Sequence, residues 1–227
     1  AEHSWLRSHI VTARGRGLNG RRPGKGLIAG MGMAALGNAL SRGTLSASFQ
    51  RVVFASGNAE PITPLFDEFG TRYIDLTENN VVNALMASGA IPYVFEGVYD
   101  IEGAGMGAFW DGGIIDYHFD LKRLPSDQVW LYPHFNSRTT VGWFDKFLPW
   151  RVDRQVSADQ LIMICPSDDF LAQLPFGKIP ARRDFGKIPE RVRETYWRQC
   201  VIESQRLAHE FHELINGSDP LAGAIRL

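Results

Sequence analysis

Short runs rich in β-branched and aromatic residues alternate along this chain with segments of helical character. That alternation limits the fold more than any other feature of the sequence. His9-Ile-Val-Thr-Ala13, Arg51-Val-Val-Phe-Ala55 and Arg72-Tyr-Ile-Asp-Leu76 each have the length and composition of a strand. Between the first two, Leu27 to Leu40 is apolar at nearly every position, and Ser41-Arg42-Gly43 stops it as a helix. Beyond the third, Thr77 stands as the N-cap of a helix that runs to about Ser88 and is ended by Gly89 and Pro92. Residues 107–111, 128–134 and 160–165 supply three more strand signals, and Ser167 with Asp168 and Asp169 opens a short helix. A long helix from about Pro189 to Asn216 closes the series, stopped by Gly217. Strands alternating with helices predict α/β layering around a mostly parallel sheet.

The whole-chain numbers narrow the function classes. A length of 227 residues suits one domain, or a domain with an appendage, and is enough to bury a core. A formal net charge of -1 gives no global field to recruit nucleic acid, so no nucleic-acid partner is expected. Cys165 and Cys200 form no Cys-x-x-Cys and read as buried free thiols. No run approaches the roughly 20 apolar residues of a membrane span, and no signal peptide opens the chain. A cytoplasmic protein, peripheral to a membrane, is the expectation. The first residue is Ala1, so the chain reads as a piece of a longer product, and a leader in the parent stays open.

The segment from Ala87 to Asp116 carries the chemistry. Ala87-Ser-Gly-Ala-Ile-Pro92 is followed by an apolar stretch and then by Phe109-Trp110-Asp111-Gly112-Gly113-Ile114-Ile115-Asp116. Gly112-Gly113 lets the backbone adopt turns a Cβ forbids and lets another segment or a ligand come close. A carboxylate placed there, among aromatic and aliphatic flanks that disfavour its charged form, is suited to act as a base. On residue chemistry alone, Asp-Gly-Gly reads first as a hairpin signal. Asp116 and Asp120 read as structural.

In its spacing, Ala-Ser-Gly-Ala-Ile-Pro followed by Asp-Gly-Gly resembles the second half of the patatin-like phospholipases. The resemblance implies a partial three-layer α/β/α fold with a mostly parallel sheet and a long C-terminal helix. It implies that residues 1–135 are the C-terminal part of an acyl hydrolase domain, and that 136–227 form a subfamily tail packed on it. It implies ester hydrolysis on a lipid or phospholipid by a Ser–Asp dyad, with Asp111 as the base on the Gly112-Gly113 turn and with no metal or cofactor. The family's Gly-x-Ser-x-Gly nucleophile segment is not among these residues. The chain is therefore expected to be inactive alone, and its serine to come from the same precursor or from a second chain. The alternative is a non-catalytic lipid-binding or pseudoenzyme module.

Four other segments bear weighing. Gly15-Arg-Gly-Leu-Asn-Gly20 follows a strand and matches Gly-x-Gly-x-x-Gly, but Arg21-Arg22-Pro23 interrupts the helix a dinucleotide site needs, and Leu36 to Arg42 lacks the acidic residue. Arg14, Arg16, Arg21, Arg22 and Lys25 make five cations in twelve residues, suited to a phospholipid headgroup or an anionic membrane face. Trp143-Phe-Asp-Lys-Phe-Leu-Pro-Trp150-Arg151 has the aromatic and cationic mix of an interfacial element, or of a core or lid. His209 and His212 are three apart, out of step with a His-Glu-x-x-His site, and read as a solvated helix face. Phe176-Gly-Lys-Ile-Pro180 recurs as Phe185-Gly-Lys-Ile-Pro189, which predicts an extended loop wrapping the surface ahead of the last helix.

Overall fold

The computed structural model of the chain describes residues 7–57, 69–119, 129–151 and 161–225. Asp120, together with Gln128 and Gln160 at the outer ends of two expected strands, lies outside them. The chain divides into two compact units, Ala1–Ser126 with Arg138–Ala158, and Asp127–Ser137 with Asp159–Leu227.

The first unit is built on a five-stranded sheet. Its strands are β1 (His9–Gly15), β2 (Phe49–Ser56), β3 (Thr71–Leu76), β4 (Val98–Tyr99) and β5 (Ala108–Asp111), in the spatial order β3-β2-β1-β5-β4. β1 runs antiparallel to both β2 and β5, and β4 antiparallel to β5; only β2 and β3 are parallel. The expected partial three-layer patatin-like fold with a mostly parallel sheet is thus overturned: the sheet is mixed and mostly antiparallel. The cause is the connection between β1 and β2. The chain leaves Gly15, forms helix α1 (Lys25–Leu40) and the short α2 (Leu45–Ser48), and re-enters the sheet at Phe49 directly opposite Gly15. Arg16 N–H donates to Ser48 O at 2.8 Å and closes this return. A crossover that gives a parallel neighbour must carry the chain back to the far end of the sheet, and this one does not.

Helices cover both faces. α1 buries Leu27, Gly30, Met31, Ala34 and Asn38, spaced at three and four residues, against Ala13, Phe49, Ala108 and Trp110. On the opposite face α3 (Val81–Ser88) sets Ala84 and Ala87 against Val52, Phe54, Ile101 and Phe109. Alternate residues of β2 and β5 divide between the two clusters, as the period of two requires. Thr77 is not the N-cap of α3: residues 78–80 form a turn first, the cap is Asn80, and Asn80 Oδ1 accepts from Thr77 N–H at 2.9 Å. Asn80 Nδ2 also reaches Asp75 O, which holds the turn one step later than Thr77 would.

In the second unit β6 (Trp130–Pro133) pairs in parallel with β7 (Leu161–Ile164). α4 (Asp168–Gln173) opens on Ser167, whose hydroxyl accepts from Phe170 N–H at 3.2 Å. α5 (Asp184–Lys187) is a single turn, and α6 (Glu190–Asn216) runs 27 residues to Gly217. The two Phe-Gly-Lys-Ile-Pro copies do not form the expected extended loop: Phe176 and Gly177 lie in a 3-10 turn and Phe185 to Lys187 in α5, and each copy sets its Phe against an α6 ring. Phe176 meets Tyr196 edge-on at 5.0 Å, and Phe185 meets Trp197 edge-on at 5.2 Å. Ile179 and Ile188 complete the cluster around Phe170, Leu174, Tyr196 and Cys200. Both cysteines are free; Cys200 is buried, whereas Cys165 is only half-buried. No helix among the described residues is long and apolar enough to cross a membrane.

Candidate functional site

β5 carries the candidate aspartate to the end of a strand paired on both sides. Phe109 and Trp110 are fully buried on opposite faces of the sheet. Trp110 Nε1–H donates to Asn19 O at 2.9 Å. Asp111 follows, half-buried, at the last strand position and opposite Thr12 of β1. Its N–H donates to Ala90 O at 3.0 Å. The bond joins the Ala87–Pro92 turn to the Asp111–Gly113 turn, two motifs well separated in sequence.

The carboxylate is held by the turn it opens. Asp111 Oδ1 accepts from Gly113 N–H at 2.8 Å, an Asx-type closure. Gly112–Ile114 is a turn of 3-10 helix, and the N–H groups of Ile115 and Asp116 both reach Gly112 O, at 3.0 and 2.9 Å. A Cβ on Gly112 would lie 2.4 Å from Val11 O, so only glycine lets this turn rest against β1. A Cβ on Gly113 would stand 3.0 Å from Asp111 Oδ1 and crowd the same carboxylate. The arrangement presents an oriented carboxylate at a strand end. Such a group can accept a proton from a hydroxyl brought within roughly 2.6–3.2 Å, or serve as a turn cap.

Behind the turn lies a buried charge network that sequence reasoning missed. Arg51 Nε and Nη2 donate to Asp116 Oδ2 and Oδ1 at 2.5 and 2.6 Å, and its Nη1 donates to Phe69 O at 2.8 Å. Arg42 Nη2 donates to Ile115 O at 2.8 Å and lies 3.6 Å from Asp116. Asp145, also buried, accepts from Asn38 Nδ2 at 2.7 Å and pairs with Arg151 at 3.3 Å. The signal available was Arg51 itself, an arginine at the head of an apolar strand, which needs a buried partner. Asp116, read from the sequence as structural, is the buried partner of Arg51. His118 is buried, and its Nδ1 faces Thr140 N–H at 2.6 Å.

The five loop cations do not converge on Asp111. Arg14 is tied down: Nε and Nη2 reach Met106 O at 3.0 and 2.5 Å, and the guanidinium lies 6.0 Å from the Phe109 ring. Arg16 Nη1 donates to Ser46 O at 2.7 Å. Arg22 stands 5.4 Å over the Tyr99 ring, and Arg21 and Lys25 are exposed. Gly15-to-Gly20 is a folded turn, with α1 starting only at Lys25; a Cβ on Gly15 would meet Asn19 O at 2.0 Å. Gly15 and Gly20 are held in the packing of this turn. Trp143 packs on the α1-side core, whereas Trp150 is 72% exposed.

Among the described residues no cluster of three His, Cys, Asp or Glu could hold a metal ion. His209 pairs with Glu213 at 3.3 Å, and His212 with Asn216, both on the exposed side of α6. No family model, no curated protein and no solved structure matches this chain.

Proposed function

We propose that this chain is the aspartate-bearing portion of a patatin-like serine lipid acyl hydrolase, acting on the ester of a lipid or phospholipid. The observation that carries the reading is the bond from Asp111 N–H to Ala90 O. It brings together the two motifs on which the resemblance rests, and it does so at a strand end where the Gly113 amide orients the carboxylate. The reading rests on these motifs and not on the sheet, which differs from the family-based expectation.

In the proposed chemistry a serine hydroxyl, supplied by a Gly-x-Ser-x-Gly segment outside these 227 residues, gives its proton to Asp111 as it attacks the ester carbonyl. The ester C–O bond breaks, the alcohol leaves with a proton, and an acyl-enzyme forms. Water activated by the same carboxylate then releases the fatty acid and restores the serine. Backbone amides near the serine would hold the oxyanion. The second reading is a lipid-binding module without catalysis, favoured by the missing Gly-x-Ser-x-Gly.

The test extends the reading frame upstream of Ala1. An extended product bearing Gly-x-Ser-x-Gly should hydrolyse a p-nitrophenyl ester, and Asp111→Asn should lower its kcat by about 10²–10⁴-fold. The 227-residue chain alone should show no turnover. Turnover by the chain alone, or an extended product indifferent to Asp111→Asn, would refute the proposal.

A further inference from the structure

The outer face of α1 poses a question that the acyl hydrolase reading does not answer. The buried stripe of this helix ends at Asn38, and the opposite stripe is as apolar as the buried one. Ile28, Gly32, Leu36 and Leu40 recur every four residues, with Met33 beside them, and all are exposed. Leu36 is 73% and Leu40 87% exposed. A helix apolar on both sides belongs in contact with something apolar on both sides. Sixteen residues reach about 24 Å, too short to span a bilayer but well suited to lie along its surface.

The last turn of α1 is fastened to the aromatic segment 143–151. Asn38 Nδ2 donates to Asp145 Oδ1 at 2.7 Å, and Arg151 Nη1 reaches Asn38 Oδ1 at 3.5 Å. That segment leaves Phe147 and Trp150 exposed, each 72%. Its one carboxylate, Asp145, is turned inside, while Lys146 is exposed. At the other end of α1 stand Arg21, Arg22 and Lys25, all exposed.

Charge identifies the occupant. No acidic residue occurs between Glu2 and Glu60, whereas eight cations do: Arg7, Arg14, Arg16, Arg21, Arg22, Lys25, Arg42 and Arg51. The other 16 of the 24 cations share the rest of the chain with nearly all of the 25 acids. Arg51 and Arg42 belong to the buried network, but Arg16, Arg21, Arg22 and Lys25 sit at the surface. Apolar side chains and an exposed tryptophan, with cations at both ends, complement an anionic lipid surface.

We infer that α1 and the 143–151 segment form a docking face for anionic membranes, with Ile28, Leu36, Leu40 and Trp150 entering the headgroup boundary and Arg21, Arg22, Lys25 and Lys146 meeting lipid phosphates. The face is independent of Asp111, so its failure and that of the hydrolase reading are separable.

Sedimentation with vesicles tests it. The chain should bind phosphatidylcholine vesicles carrying about 30% phosphatidylserine and bind pure phosphatidylcholine more weakly; raising salt from about 0.1 M to about 1 M should erase the difference. Leu36→Asp with Leu40→Asp should lower the partition coefficient about tenfold per position. Arg21→Glu with Arg22→Glu should remove the preference for phosphatidylserine, and Asp111→Asn should change nothing. Brominated lipid should quench tryptophan emission, and Trp150→Phe should lose that quenching, a readout on otherwise wild-type protein. No sedimentation of the wild-type chain with anionic vesicles would overturn the inference, as would wild-type binding by the double aspartate variant. A dimer in sedimentation equilibrium that the aspartates dissolve, without vesicle binding, would assign the face to a second copy instead.

Discussion

Replacing Asp116 by asparagine should destabilise the first unit by an amount in the upper half of about 3–5 kcal/mol, the cost of breaking a buried ion pair from one side. The structure sets the magnitude. Arg51 is fully buried, the Asp116 side chain is 5% exposed, and the two meet through two charge-assisted bonds of 2.5 and 2.6 Å. Arg51 keeps Phe69 O and Thr71 Oγ1 after the change, so its hydrogen bonds are only partly lost. Its charge, however, loses the carboxylate opposite. Arg42, 3.6 Å from that carboxylate, then becomes a second guanidinium beside a neutral amide, which pushes the cost upward.

Two compact units need not unfold in one step, so the assay should report on the sheet itself. Native-state hydrogen exchange at the β2 amides, Val52 to Ala55, does so, with urea unfolding followed by circular dichroism as a companion. The double change Arg51→Met with Asp116→Leu should be less damaging than Asp116→Asn, because it removes both charges together. An Asp116→Asn protein within about 1 kcal/mol of wild type, the range of an exposed pair, would refute the reasoning.

Two further outcomes follow from single sites. Gly112→Ala places a Cβ 2.4 Å from Val11 O, which is held in β1 while Gly112 is held by the turn that follows β5, and should cost at least about 1–3 kcal/mol by thermal unfolding; an unchanged Tm would show that the turn does not rest on β1 as described. In the second unit the hydrogen bond from Lys178 lowers the carboxyl of Asp184 below its ordinary 3.8, aided by the Ala181 amide. A carboxyl lowered on folding contributes fully above pH 3.8, and that contribution is lost as pH falls through the lower folded value. Acid titration of the CD signal should show this loss, and Asp184→Asn should abolish that limb of the curve; an identical acid limb in the variant would remove Asp184 from the account.

Part of the candidate site was legible in the amino-acid order alone. Asp111 on its glycine turn and the Ala87–Pro92 turn were visible as motifs because both are local chemistry: a short polar side chain, glycines, and a proline. That Asp111 N–H meets Ala90 O was not, since nothing in either motif names the other. The basic loop misled in one respect. Arg14 reads as a free cation in sequence, yet it is bound to Met106 O, 92 residues away.

By itself the sequence determined the limits of the elements it signalled, mostly to within two residues, from the His9 strand to the helix stopped at Gly217; α2, β4 and α5 left no such signal. Those limits depend on propensity, caps and breakers acting over about one turn of helix. Only the tertiary structure decided that β1 runs against both neighbours, that Arg51 pairs with Asp116 across 65 residues, and that Trp110 anchors the Gly15-to-Gly20 turn across 91. Strand direction is set by where a connection returns, and a buried charge takes whichever partner the packed core brings to it. Neither quantity is written in the residues nearby.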